Sequence, residues 1–99
     1  MIAIISEIQY TKDELTNLTK QGCVVNYTML PQFYNSYSQE LAKINDELIY
    51  KAKAVIIKID KFYASTKEAI EHALLKKKSV RIITPDADFI LHHQSNQQL

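Results

Sequence analysis

One glycine, two prolines, one cysteine and no tryptophan occur in 99 residues, and each scarcity closes off a kind of chemistry. With Gly22 as the sole glycine, neither a dinucleotide-type nor a P-loop-type phosphate cradle can form, because both need several glycines at fixed spacing. With Cys23 as the sole cysteine, an internal disulfide and a cysteine-rich zinc site are excluded. No apolar run approaches the ~18 residues a membrane-spanning helix requires. Twelve Lys and Arg balance eleven Asp and Glu to +1, so net charge offers no field to gather DNA, RNA or anionic lipid. The opening residues, Met1 to Glu7, have no basic region and too short an apolar stretch for export, so the expected location is cytoplasmic. What remains is a chain that is 46% hydrophobic, of a length suited to one domain with a modest core.

Periodicity orders that chain as strand, helix, strand, helix, strand, helix, strand, with no internal repeat or linker. Met1 to Ile5 is an apolar, β-branched run suited to a strand covered on both faces. Thr11-Lys12-Asp13-Glu14 has the capping-box spacing that starts a helix, Leu15 and Leu18 are its apolar positions, and Gly22 suits the left-handed residue that ends it. Cys23 to Tyr27 is the second strand, with Cys23 a small buried hydrophobe. A connection bearing Pro31, Phe33 and Tyr34 leads to a helix over about 36–52, whose buried face is Tyr37, Leu41, Ile44, Leu48 and Ala52. Ala54 to Ile59 is the third strand, delivering Asp60 at its carboxyl end. Ser65-Thr66-Lys67-Glu68 repeats the capping-box spacing, and Ala69, Ile70, Ala73 and Leu74 form the stripe of a third helix that closes on Lys76-Lys77-Lys78. Val80 to Ile83 is the fourth strand, stopped by Pro85; Phe89-Ile90-Leu91 should dock, and 92–99 is a polar tail beyond a single domain of 1–91.

Helical crossovers between strands imply parallel pairing and right-handed connections, giving an α/β fold with a four-stranded parallel sheet of order 2-1-3-4 and about three main helices. Ligands of such open sheets bind beyond the carboxyl ends of the strands where the order reverses, between the first and third strands. Ser6, Glu7, Asp60, Tyr63, Ser65 and Thr66 gather there and are the expected ligand-binding residues. The free amides of the third helix suit a phosphate or carboxylate, and Asp60 suits a ribose hydroxyl.

From the third strand onward, Ala54-Val55-Ile56-Ile57-Lys58-Ile59-Asp60, Ser65-Thr66-Lys67-Glu68-Ala69-Ile70-Glu71-His72-Ala73 and Lys77-Lys78-Ser79-Val80 resemble the nucleoside 2-deoxyribosyltransferase-like family. The likeness spans about residues 40–84 and implies a small flavodoxin-like, Rossmann-like domain and a nucleoside-related ligand. In that family a helix glutamate is the nucleophile at the sugar C1′, forming a covalent glycosyl intermediate. Matching Thr66 to the family threonine puts Ala69 at the nucleophile's position. Glu68 and Glu71 are displaced around the helix, each residue turning the side chain by about 100°, which leaves them as weak catalytic candidates.

The bland readings stand beside these. Glu68 fits a capping box with Ser65 better than catalysis, His72 and the adjacent pair His92-His93 lack partners at metal-ligand spacing, and the lysine run reads as a helix end. No cofactor or metal is expected. The resulting expectation is a domain that binds a nucleoside or nucleotide-like ligand without efficient catalysis, with no DNA, RNA or membrane partner and with short sheet edges that allow a homodimer. Two other classes stay open: a protein-interaction, regulatory or decoy module of mobile-element origin, and an N-glycosidic transferase or hydrolase.

Overall fold

The structure, a computed structural model, describes residues 1–28 and 39–91. The elements are β1 (Ile2–Ser6), α1 (Lys12–Lys20), β2 (Cys23–Tyr27), α2 (Gln39–Lys51), β3 (Ala54–Lys58), α3 (Ala64–Leu75), β4 (Ser79–Ile83) and β5 (Asp88–Leu91). They make one sheet of order β2-β1-β3-β4-β5, parallel from β2 to β4. The expected 2-1-3-4 order is therefore present, but the sheet has five strands rather than four. Phe89-Ile90-Leu91 docks by extending the sheet as an antiparallel edge, with Ile82 opposite Phe89, Arg81 opposite Ile90 and Leu91 packed against the core. Pro85 and Asp86 sit in the turn that makes this possible, where the Thr84 amide donates to the Ala87 carbonyl at 2.8 Å. Arg81 then grips Asp88 across the new pair through two hydrogen bonds, at 2.8 and 2.6 Å.

Right-handed crossovers put α1 on one face of the sheet and α2 and α3 on the other. The core forms under the helix pair, where Ala3, Ile5, Val55, Ile57, Val80 and Ile82 meet Ile49, Ala52, Ala69 and Ala73. Alanines at the last two positions let α3 lie close on the sheet. The Thr11–Glu14 capping box is present in both directions, with the Glu14 amide donating to Thr11 Oγ1 at 3.1 Å and the Thr11 amide to Glu14 Oε1 at 2.9 Å. Gly22 takes φ 82° behind α1, as a helix stop requires.

Two helices depart from the expected pattern. On α2, Ile44 is 55% exposed, and Asn45 is buried in the row with Ile49 and Ala52. The helix is turned by about one residue because Asn45 has polar partners inside, described below. On α3 the start is Ala64 with Tyr63 as N-cap, so Ser65 lies within the first turn and the Ser65–Glu68 capping box does not form. Tyr63 provides no side-chain cap of its own. The α3 C-terminus is closed instead by backbone alone: the Lys77 amide donates to the Leu74 carbonyl at 2.9 Å and the Lys78 amide to Ala73 at 3.0 Å, with Lys77 in the left-handed region at φ 60°.

Candidate functional site

Where β1 ends, the chain turns across the carboxyl end of β3, and the Glu7 amide donates to the Lys58 carbonyl at 2.9 Å. That contact aims the Glu7 carboxylate at the loop between β3 and α3. Its Oε1 accepts from the amides of Asp60, Lys61 and Phe62 at 2.7, 2.8 and 3.0 Å. Its Oε2 accepts from the Tyr63 amide at 2.9 Å and from the Thr66 hydroxyl. Phe62 has φ 64°, a left-handed conformation that turns successive amides toward one point and makes an anion-binding concavity. Glu7 thus fills the anion cradle that this loop and the start of α3 create, and it supplies the cap that α3 lacks locally. Burial pushes the Glu7 carboxyl up, but the Thr66 hydroxyl and the amides of Asp60, Tyr63 and Phe62 outweigh it and hold the group below the usual carboxylate range.

Thr66 is buried and its hydroxyl also lies 3.3 Å from that of Thr28, which leaves the end of β2. Beside it, Asn26 Nδ2 donates to Asn45 Oδ1 at 2.6 Å, and Asn45 Nδ2 donates to the Tyr27 carbonyl at 3.4 Å. This is why Asn45 occupies an inward position on α2. Neither Thr28 nor Asn45 was singled out by the sequence, although an asparagine in line with Leu41, Ile49 and Ala52 is a visible break in an apolar row. On the α1 side, the Tyr27 hydroxyl accepts from the Tyr10 amide at 3.4 Å, and the Lys58 ammonium stands 4.8 Å from the centre of the Tyr10 ring.

Of the six expected ligand-binding residues, Glu7, Asp60, Tyr63 and Thr66 converge on one loop, but the hydrogen bonds that join them are all internal to the protein. Asp60 offers only its amide to Glu7 and its side chain is exposed. Ser6 is buried and its hydroxyl is committed locally, donating to the Ile8 carbonyl at 2.6 Å and accepting from the Ile8 amide at 2.9 Å. Ser65 is 5% exposed, and its Oγ has no hydrogen-bond partner among the described residues. Glu68 and Glu71 are exposed on α3, whereas Ala69 is part of the core, so no carboxylate of α3 joins the Glu7 cluster. His72 lies 3.8 Å from Asp46 on α2 rather than standing alone in solvent. Phe33, Tyr34, Tyr37 and the His92-His93 pair fall outside the described residues. Among the described residues no group of three His, Cys, Asp or Glu could hold a metal ion, and no helix is long and apolar enough to cross a membrane.

The sheet order defines a small flavodoxin-like α/β domain in which the strand order reverses between β1 and β3. No protein-family model matches the chain, and no curated protein matches its sequence. Among solved structures it is similar to a 2-deoxyribosyltransferase from the psychrotolerant bacterium Bacillus psychrosaccharolyticus, with a TM-score of 0.52 and 17% identity over 86% of this chain and 73% of that one. That protein is described as a biocatalyst for nucleoside synthesis. At this identity the likeness is one of fold alone.

Proposed function

We propose that this chain binds a nucleoside or nucleotide-like ligand at the carboxyl end of its sheet and does not carry out efficient deoxyribosyl transfer. The observation that carries the reading is the exposed Asp60 carboxylate, held at the switch point on a loop that Glu7 fixes through four backbone amides. A carboxylate at that place accepts hydrogen bonds from a sugar diol, and a pre-ordered loop reduces the entropy lost on binding. The Tyr10 ring, with Lys58 against it, adds an aromatic surface close by. Because Glu7 already occupies the anion cradle, an uncharged nucleoside fits the rim better than a ligand whose phosphate must enter that cradle. The expectation of inefficient transfer rests on Ala69, which is buried and which the resemblance matches to the family's nucleophile.

A thermal-shift and calorimetric screen of nucleosides and nucleotides tests this. A nucleoside is expected to stabilise the fold, and Asp60→Asn is expected to weaken it by about 1–3 kcal/mol with little change in stability. No stabilisation by any nucleoside, or equal affinity in Asp60→Asn, overturns it. Base exchange between a deoxynucleoside and a free base that disappears in Glu68→Gln or Glu71→Gln would establish the transferase reading instead.

A protein-interaction module is favoured by one separate observation. At the β2 edge, Val24 and Ile44 are exposed beside an open recess of about 320 Å³ that Leu48 and Val25 also line. Sedimentation of the parent against Ile44→Lys tests whether that edge joins two copies.

A further inference from the structure

The total charge of +1 conceals a separation that the fold imposes. Four parallel strands start at one end of the sheet, and all three helices finish there. The residues at those junctions include Lys20, Lys51, Lys53, Lys76, Lys77 and Lys78, and neither the last turn's final three residues of any helix nor the link into its following strand contains an aspartate or glutamate. Five of the six are exposed and Lys78 is partly so. The rest of the chain holds the other six cations and all eleven carboxylates, of which Asp46 and Glu47 on α2 border this end. Three helix C-termini contribute roughly −0.5 each, which neutralises only about a quarter of the six charges. The lysine run is thus more than a complement to one helix dipole.

Hydrogen bonds knit the junctions into one surface. The Ile2 amide donates to the Gly22 carbonyl at 3.1 Å, the Lys53 amide to the Met1 carbonyl at 3.0 Å, and Lys78 Nζ to the Tyr50 carbonyl at 2.9 Å. Tyr50 stands in this field 65% exposed, with the ammonium groups of Lys76 and Lys78 at 5.8 and 6.0 Å from its ring centre. Next to it, between α2 and α3, is an open recess of about 240 Å³ lined by Asp46, Glu47, Tyr50, Lys51, His72 and Lys76.

We propose that this lysine-rich end of the sheet, with Tyr50 and its recess, binds single-stranded nucleic acid. Phosphates take the lysines, and one base enters the recess against Tyr50. Single-strand sites combine a positive surface that follows the backbone with an aromatic side chain on which a base stacks, and both parts are present here. The recess decides between partners. Asp46, Glu47 and His72 offer hydrogen-bonding groups to the edge of an unpaired base, whose amino groups suit carboxylate acceptors. A lipid headgroup would leave the Tyr50 ring and its recess unused and would engage Leu75 instead, which is 76% exposed at the end of α3. This site lies at the opposite end of the sheet from Asp60 and stands independently of the nucleoside reading.

The test is fluorescence anisotropy of labelled oligo(dT) and oligo(rU) with the full chain over a range of salt. Saturable binding is expected, with log K falling against log [salt] by about 0.7 for each phosphate neutralised. Lys53→Gln/Lys76→Gln is expected to weaken binding at low salt at least tenfold and to flatten the slope by about 1.4. Lys12→Gln/Lys67→Gln, which removes the same net charge from the other end, is expected to leave both unchanged. Tyr50→Ala is expected to weaken binding on the order of tenfold without altering the slope, since stacking is not ionic. No saturable binding at low salt, equal losses in the two double variants, or an unchanged affinity in Tyr50→Ala overturns the proposal. So does capture by anionic phospholipid vesicles that the oligonucleotide cannot displace.

Discussion

The two ends of the sheet contrast in how their polar groups are used. At the carboxyl end, Glu7 is bound to four amides and Thr66, Ser6 to Ile8, and Thr66 lies against Thr28, so the polar groups mostly satisfy one another. At the amino end, the ammonium groups of Lys76 and Lys78 stand 5.8 and 6.0 Å from the ring centre of the exposed Tyr50, and among the described residues Lys78 is the one lysine there whose side chain bonds the backbone of another element. The difference comes from topology. Beyond the carboxyl ends of β1 and β3, segments distant in sequence must be joined, and a carboxylate whose acceptors face converging amides does this. At the amino ends, short links run directly from helix to strand and need no such clasp. Their side chains point to solvent and their charge is left for other uses.

The largest expected effect follows from removing the clasp. Glu7→Ala leaves the amides of 60–63 and the Thr66 hydroxyl without their acceptor, and a loss of about 2–4 kcal/mol in urea unfolding is expected, because hydrogen bonds to a charged group are the strong ones. Glu7→Gln tests the charge separately. The folded-state pKa of Glu7 is depressed, so its contribution is fully present above the ordinary glutamate value and is lost as pH falls through the lower folded value. The stability gap between parent and Glu7→Gln should accordingly be complete at neutral pH, start to narrow near pH ~4 and close in stronger acid. A gap that did not change with pH would mean that the carboxylate is not the source of the clasp.

Much of this architecture is legible in the sequence, and what is missing has a common character. The Thr11–Glu14 box, the Gly22 stop, the alternation of strands and helices and the 2-1-3-4 order all depend on residues a few positions apart, or on the handedness of crossovers. The cap on α3 comes from Glu7, 56 residues before Tyr63. Nothing local marks it, while Ser65-Thr66-Lys67-Glu68 shows a spacing that suggests a box two positions too late. Asn45 illustrates the same limit: its place on α2 is set by Asn26 and Tyr27 across the domain, and it rotates the helix enough to expose Ile44. Charge separation is hidden for another reason. Net charge adds the lysines and carboxylates together, and only the parallel topology brings six of the twelve cations to one end of the sheet.

Among the described residues each end also holds one non-glycine residue in the left-handed region, Phe62 and Lys77, which allows a matched comparison. Lys77→Gly at the C-terminus of α3 should stabilise the fold by about 0.5–1 kcal/mol, since glycine takes that conformation freely and the exposed lysine side chain packs on little. It should also reduce the salt slope of oligonucleotide binding by about 0.7, so that stability and binding move in opposite directions. Phe62→Gly gains the same backbone relief but loses the half-buried ring, worth about 1 kcal/mol, and the net change should be close to zero. If both variants gained equally, the Phe62 ring would contribute nothing to the Glu7 loop.

The smallest effect separates two readings of α3 by its sign. A capping role for Ser65, as its spacing to Glu68 suggests, makes Ser65→Ala cost about 0.5–2 kcal/mol. In the structure Ser65 is the second residue of the helix, the cap position belongs to Tyr63, and the buried Ser65 hydroxyl has no partner among the described residues. A buried hydroxyl without a hydrogen bond costs about 1–3 kcal/mol, part of which is returned when a methyl group takes its place. Alanine also has the better helix propensity. Against this stands the volume of one oxygen left unfilled, so the expected outcome is a gain of about 0.5 kcal/mol, read as an increase in urea midpoint with an unchanged m-value. A loss of 1 kcal/mol or more would return the cap to Ser65 and reduce Glu7 from the clasp of this end of the sheet to one contact among several.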